Sequence, residues 1–189
     1  AGRPPSGATA HLRALHNAGL VVAENVGRNR YFRLANSEVA DLLETLARIA
    51  PPSAPRTLRQ SEAARALKRA RTCYDHLAGE LGVAVTDALI ERALLEQTHH
   101  SFRVTASGAE WLSELGIDLA AAERQRRSFA RACLDWSERR PHIAGALGAA
   151  LADVFFKRKW VQRLPGGRAI KLTPSGKEWL ERELGWAPR

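Results

Sequence analysis

Two pairs of cysteine and histidine in this 189-residue chain could together bind a metal ion. Cys73 precedes His76, and Cys133 precedes His142, at comparable places in two copies of an internal repeat. Two thiolates and two imidazoles make a tetrahedral ligand set suited to zinc or another soft metal ion. The spacing does not require a metal, because isolated buried cysteines mostly pack as small apolar side chains.

Helical geometry predicts which side chains near Cys73 lie on the same face of the helix. We expect a helix that ends near Gly82, in which His76 lies about 60° further round than Cys73 on the same side. Asp75 falls on the other side, so it cannot join the pair unless the helix breaks. Cys73 and His76 can therefore share one ligand.

The second copy places Cys133 on an apolar helix face, and His142 follows a break at Pro141. A third interpretation of these residues is an organic effector pocket, lined in addition by Tyr74 and Trp136. The metal site, the inert core and the effector pocket all remain open at this point.

The two copies of the repeat are identified by their closing segments. Residues 105–112 return as residues 173–180 with six identities in eight, and residues 71–75 parallel residues 131–135. Each copy is predicted to contain a long helix with a cysteine, a second helix, a hairpin and a closing helix capped by threonine. We interpret both copies as winged-helix-like modules. The predicted boundaries are 58–118 for the first copy and 119–189 for the second.

A helix and a basic hairpin precede the repeats. Apolar residues at three-to-four spacing predict a helix over residues 8–18, with Ser6 as its N-cap and Gly19 as its stop. Residues 20–24 and 30–34 form the strands of a predicted hairpin with basic residues at its tip. This layout is typical of a recognition helix and wing, which read bases and contact phosphates respectively.

The same stretch resembles the second half of a winged helix-turn-helix repressor of the ArsR/SmtB type. The resemblance covers about residues 6–50, and three segments carry it: the helix core at 11–15, the exit at 18–21 and the return strand at 27–34. It implies a dimeric repressor that binds promoter DNA and is released by an inducer. The DNA-contacting residues that it implies are Ser6, Gly7, Thr9, Ala10 and Arg13 toward the major groove, and Arg28, Asn29 and Arg30 on the wing.

A complete winged helix of this family carries two or three helices before the recognition helix, and the sequence contains no methionine. We therefore expect that the natural protein is longer and that these helices lie upstream. The family's Cys-x-Cys metal motif would fall in that upstream segment.

Ser37 is predicted to cap a helix over residues 38–50 that carries one apolar stripe. In the resembling family this helix packs on its twofold mate, and packing within one subunit is the alternative. The proline-rich residues 51–57 end the helix and predict a stiff linker. The first domain is therefore predicted to comprise residues 1–50.

Composition narrows the class of protein. No apolar stretch reaches the roughly 18–20 residues that a bilayer requires, which excludes a transmembrane protein. The 29 basic against 20 acidic residues give a net charge of +9 and predict a polyanionic partner, nucleic acid before membrane. The second copy offers a further basic hairpin, with residues 157–159 before it and Arg168 after its turn. Two cysteines cannot form a disulfide framework, so we expect a cytoplasmic protein.

Enzyme motifs are absent from the sequence: it has no glycine-rich phosphate loop, no nucleophile elbow and no His-Glu-x-x-His. We therefore predict a mainly α-helical fold with small β-hairpins and no enzymatic activity. The predicted function is that of a homodimeric repressor that binds double-stranded promoter DNA and senses an effector in its C-terminal repeats. A metal- or thiol-responsive sensor and a protein–protein scaffold of winged-helix modules are the alternatives.

Overall fold

The computed structural model of the protein describes residues 5–27, 29–50, 57–165 and 167–187. Arg28, the linker residues 51–56 and the side chain of Ser6 lie outside these described parts. The chain forms two compact units, residues 1–49 and residues 50–189. Helices and small antiparallel hairpins make up both units, which confirms the predicted fold class. No described helix is both long and apolar enough to cross a membrane.

The described residues of the first unit form two helices and one hairpin. Its elements are α1 (Pro5–Asn17), β1 (Val21–Val26), β2 (Asn29–Leu34) and α2 (Ser37–Ile49). Gly19 takes a positive φ of 70° after α1, and the Leu20 amide donates a 2.9 Å hydrogen bond to the Leu15 carbonyl. This bonding pattern ends a helix in a Schellman motif and confirms the predicted stop.

Both predicted N-caps of the first unit are wrong. Ser6 lies inside α1, because Pro5 is tolerated in the first helical turn and the helix begins there. The side-chain oxygen of Asn36 accepts a 3.0 Å hydrogen bond from the Val39 amide, so Asn36 caps α2 and Ser37 is its first helical residue. Asparagine is among the strongest N-cap residues.

The two copies of the repeat lie in the second unit and have the same order of elements. The first copy comprises α3 (Leu58–Arg69), β3 (Arg71–Cys73), β4 (His76–Ala78), α4 (Gly79–Glu91), β5 (Leu95–Gln97), β6 (Phe102–Val104) and α5 (Ala106–Glu114). The second copy comprises α6 (Leu119–Glu123), β7 (Arg131–Leu134), β8 (Pro141–Ala144), α7 (Gly145–Lys157), β9 (Val161–Arg163), β10 (Ile170–Leu172) and α8 (Pro174–Leu184). Thr105 and Thr173 cap the closing helices as predicted.

The predicted long helix through Cys73 is wrong. The helix α3 ends at Arg69, and Cys73 lies in the β3–β4 hairpin, whose turn begins with Tyr74 at a φ of 58°. Cys133 likewise lies on a strand, β7, rather than on a helix. Apolar residues at three-to-four spacing continue across the hairpin, and periodicity alone cannot separate a short buried strand from a helical segment.

Backbone hydrogen bonds join each copy to the other. The Thr72 amide donates to the Arg168 carbonyl at 2.9 Å, and the Ala132 amide donates to the His100 carbonyl at 3.0 Å. The first hairpin of each copy thus continues onto the second hairpin of the other copy. Both copies share one apolar core, whose most buried members include Leu81, Leu89, Leu147, Phe155 and Leu180.

Candidate functional site

The four predicted cysteine and histidine residues come together in the second unit. Cys73 and His76 are paired across the β3–β4 hairpin, and Cys133 and His142 are paired across the β7–β8 hairpin. One potential ligand atom from each residue lies within 4.8 Å of the others, and all four side chains are buried. We call these four residues the tetrad. Each copy of the repeat contributes half of it.

Two equivalent glycines allow the hairpins to approach the helices of the opposite copy. A Cβ atom on Gly148 of α7 would lie 3.1 Å from the Cβ of His76, and one on Gly82 of α4 would lie 3.7 Å from the Cβ of His142. Each added Cβ would also clash with a backbone carbonyl oxygen of its own copy, that of Leu77 for Gly82 and that of Ile143 for Gly148. A larger residue at either position would therefore displace the hairpin that carries a tetrad histidine.

Three imidazole nitrogens of the tetrad have no hydrogen-bond partner among the described residues: Nε2 of His76 and both ring nitrogens of His142. A carboxylate lies beside the Nδ1 atom of each ring. The distance is 3.3 Å from His76 Nδ1 to Asp75 Oδ1 and 3.6 Å from His142 Nδ1 to Asp135 Oδ2. The prediction that Asp75 lies apart from His76 is therefore wrong, because the turn of the hairpin replaces the helix.

Neighbouring groups shift the pKa values of Cys133 and His76. Interaction with the Cys73 side chain lowers the pKa of Cys133 well below the usual thiol range. Burial of the Cys133 thiol opposes this shift, and the imidazoles of His142 and His76 lower the pKa further. Burial lowers the pKa of His76, but Asp75 and Cys133 outweigh it, and the net shift is upward. These interactions favour the thiolate form of Cys133, which is the form that binds metal ions.

A buried ion pair joins the two copies, and each of its residues lies two positions from a tetrad cysteine in the sequence. Asp135 accepts 2.7 Å hydrogen bonds from the Arg71 guanidinium and from the Gly79 amide, and both charged side chains are completely buried. Burial would raise the pKa of Asp135, but the Arg71 guanidinium and the donated hydrogen bonds hold it well below its usual range. The Arg71 guanidinium also lies over the Trp136 ring, 4.6 Å from its centroid. Tyr74, the other predicted lining residue of an effector pocket, lies on an exposed turn.

The described members of the predicted DNA-contacting set lie on α1 and on the β1–β2 hairpin of the first unit, and Arg28 lies outside the described residues. Gly7 is half-buried on α1. The guanidinium of Arg30 lies over the Phe32 ring, 5.3 Å from its centroid, and Arg30 is in the second residue pair from the turn of the hairpin. The exposed members of the predicted set are Thr9, Ala10, Arg13, Asn29 and Arg30.

Sequence reasoning missed the residues that surround the tetrad. The ion pair of Arg71 with Asp135 and the two close-approach glycines were not predicted. A signal for both existed, since the repeat places arginine and aspartate around each cysteine and a Leu-Gly pair in each following helix. Equivalent residues in two copies are expected to meet when the copies pack around a shared axis.

Comparison with known proteins identifies a relative that matches almost the whole chain. No family model matches the chain, and no solved structure matches it. The chain is 46% identical over 180 residues to the HTH-type transcriptional regulator YdfF of Bacillus subtilis (strain 168). The matched region covers 95% of this chain and 80% of the relative. The protein therefore belongs to the family of HTH-type transcriptional regulators that includes this relative.

Proposed function

We propose that the protein is a dimeric repressor that binds promoter DNA through α1 and the β1–β2 wing and leaves it when an effector binds to the second unit. The observation that carries this proposal is the exposed polar face of α1 followed directly by a basic hairpin. The relative is named as an HTH-type transcriptional regulator, which supports a DNA-binding function. The resemblance to ArsR/SmtB repressors supports repression as the direction of control.

The proposed contacts divide by their chemistry. Thr9 and Ala10 are small and exposed, so they allow α1 to approach base edges in the major groove. Arg13 and Arg30 are exposed cations that suit phosphate oxygens beside the groove. The net charge of +9 adds an attraction that does not depend on DNA sequence.

The wing contact predicts how one substitution changes DNA binding. We expect Arg30→Ala to weaken binding to specific and scrambled duplexes alike, and to lower the slope of log K against log salt concentration by about 1 for each phosphate that Arg30 neutralises. Fluorescence anisotropy at several salt concentrations measures this slope. The specific duplex is the DNA upstream of the protein's own gene.

A charge-matched variant serves as the control. Arg182 lies on α8 with its side chain 67% exposed, so Arg182→Ala removes the same charge from the second unit and should leave the slope unchanged. An unchanged slope in Arg30→Ala would remove the wing from the proposed contact surface. Equal affinity of the unaltered protein for both duplexes would contradict sequence-specific binding.

Dimerisation is proposed through α2. Four large apolar side chains on this helix are 47–76% exposed in the first unit: Leu42, Leu43, Leu46 and Ile49. Their spacing gives α2 one apolar side, and a twofold dimer can cover that side with the same surface of a second chain. Such a dimer would present two recognition helices to a symmetric operator.

Leu46→Asp is expected to dissociate this dimer. Burial of one leucine contributes about 1.5–3 kcal/mol, and a twofold interface loses it twice, so the dimer Kd should rise by at least ~100-fold. Sedimentation equilibrium measures the change. Leu58 is 83% exposed on α3, and Leu58→Asp provides the matched control, which should keep the mass of the unaltered protein. Equal masses for both variants would argue against α2 as the dimer surface.

A further inference from the structure

The tetrad contains only sulfur and imidazole nitrogen donors. Two thiols and two imidazoles from two hairpins have ligand atoms within 4.8 Å of one another. Magnesium and calcium prefer oxygen ligands, whereas Zn²⁺ and related thiophilic divalent ions bind thiolate and imidazole. The donor set therefore selects the second class of ion.

The spacing of the donors fits a tetrahedral ion after a small contraction. Zinc bonds of about 2.0–2.3 Å separate the ligand atoms of a tetrahedron by roughly 3.3–3.8 Å. The ligand atoms of the tetrad are now up to 4.8 Å apart, so the most distant of them need to approach one another by about 1 Å. Rotation of four side chains on two short hairpins can supply this movement.

The surroundings of the histidines match those of zinc ligands. His76 is 3% exposed and His142 is fully buried, yet three of their ring nitrogens have no hydrogen-bond partner among the described residues. Buried polar atoms without partners are rare because they lose their hydration without compensation. Asp75 lies 3.3 Å from Nδ1 of His76, which leaves Nε2 for the ion. Zinc-binding histidines commonly donate their second nitrogen to a carboxylate in this way.

Charge balance also favours a divalent ion. All four tetrad residues are buried, and an isolated charge in such a place is strongly disfavoured. A divalent cation together with two thiolates and two neutral imidazoles has no net charge. The ion would also join the two copies of the repeat, since each copy supplies one cysteine and one histidine.

We propose that Cys73, His76, Cys133 and His142 bind one Zn²⁺ or similar thiophilic divalent ion, and that this class of ion is the effector of the regulator. The second half of the proposal rests on the proposed function. Ion binding changes DNA affinity only if the ion binds the DNA-bound and the DNA-free forms unequally. The tightening of the tetrad by about 1 Å is the local change that would differ between these forms.

Cobalt titration of the full chain tests the site. The protein is stripped of metal with a chelator, fully reduced and titrated with Co²⁺, whose tetrahedral thiolate complexes absorb strongly in the visible range. We expect one equivalent of Co²⁺ per chain, displaced by Zn²⁺. Cys133→Ser should weaken binding by at least ~100-fold, and Asp75→Asn, which keeps all four ligands, by about 10–100-fold.

A second histidine pair provides the matched control. His99 and His100 are adjacent and exposed, so a variant with both changed to alanine removes two imidazoles without altering the tetrad. This variant should keep the stoichiometry and absorption of the unaltered protein. Loss of the signal in this variant, or no tetrahedral signal in the reduced unaltered protein, would overturn the site. Circular dichroism checks that each variant is folded. A thiol assay shows whether both cysteines are reduced, because a disulfide bond between Cys73 and Cys133 would prevent them from binding the metal ion.

DNA binding then tests the regulatory half. We expect Zn²⁺ to weaken the affinity of the unaltered protein for the specific duplex by about 5–150-fold and to leave Cys133→Ser unaffected. Stoichiometric metal with unchanged DNA affinity would overturn the effector role and leave the metal site standing. A protein that binds no specific duplex with or without Zn²⁺ would overturn the proposed function, while the cobalt titration would still decide the site.

Discussion

Replacing Asp135 with alanine should lower the free energy of unfolding of the second unit by about 3–5 kcal/mol. The substitution leaves the Arg71 guanidinium completely buried without its carboxylate, and it removes the acceptor for the amides of Gly79 and Ser137. Urea unfolding, followed by tryptophan fluorescence in the presence of a chelator, measures the change. All five tryptophans lie between residues 111 and 186, so the signal reports on the second unit.

The equivalent aspartate of the first copy provides the control. Asp75 also forms an ion pair, with Arg127, but both side chains retain 26–30% exposure. Solvent screens such a pair, so Asp75→Ala should cost less than Asp135→Ala, about 1–2 kcal/mol in the metal-free protein, which includes the lost contact with Nδ1 of His76. If Asp135→Ala and Asp75→Ala lower the free energy of unfolding equally, the burial of the Arg71–Asp135 ion pair does not determine how much that pair stabilises the protein.

Replacing Phe155 with alanine should cost a similar amount, about 3–5 kcal/mol, through a different cause. The Phe155 ring is fully buried and packs edge-to-face against Trp160 and Trp179 at 5.3 and 5.5 Å between centroids. These two tryptophans stack on each other at 3.9 Å. Removing the ring leaves a cavity beside both, so urea unfolding should shift to lower concentration and the native fluorescence should change.

The next residue in the chain is the matched control. Phe156 is half-buried, and the guanidinium of Arg163 lies over its ring at 4.6 Å. Because this ring already faces solvent in part, Phe156→Ala should lower the unfolding free energy by about 1–2 kcal/mol. A decrease as large as that of Phe155→Ala would show that the aromatic contacts with the tryptophans add little.

The sequence predicted the members of the tetrad even though it predicted the wrong element for them. Cys73 and His76 are three residues apart, and this spacing brings side chains together on a helix and also across a tight hairpin turn. The pairing of Cys133 with His142 needs a longer turn. Asp135 folds that turn by accepting hydrogen bonds from the amides of Ser137 and Glu138, which periodicity cannot detect.

The repeat places arginine and aspartate near each cysteine, but it does not show which arginine pairs with which aspartate. Arg71 and Asp135 are 64 residues apart, and Arg71 has an equivalent arginine, Arg131, in the second copy. Residue type cannot decide which arginine becomes buried with which carboxylate, since the choice depends on how the copies pack. The helix α1 and the β1–β2 hairpin were predictable because the helix stop at Gly19 and the turn and strand signals act over only a few residues.

The hydrogen bonds between the copies bear on how the chain folds. The bond between Thr72 and Arg168 closes a loop of nearly a hundred residues, and such closure slows folding because chain entropy is lost before the core forms. Because the two copies have the same order of elements, the first copy of one chain can form the same contacts with the second copy of another chain. Refolding at high protein concentration should therefore favour domain-swapped dimers, in which each tetrad takes one cysteine and one histidine from each chain.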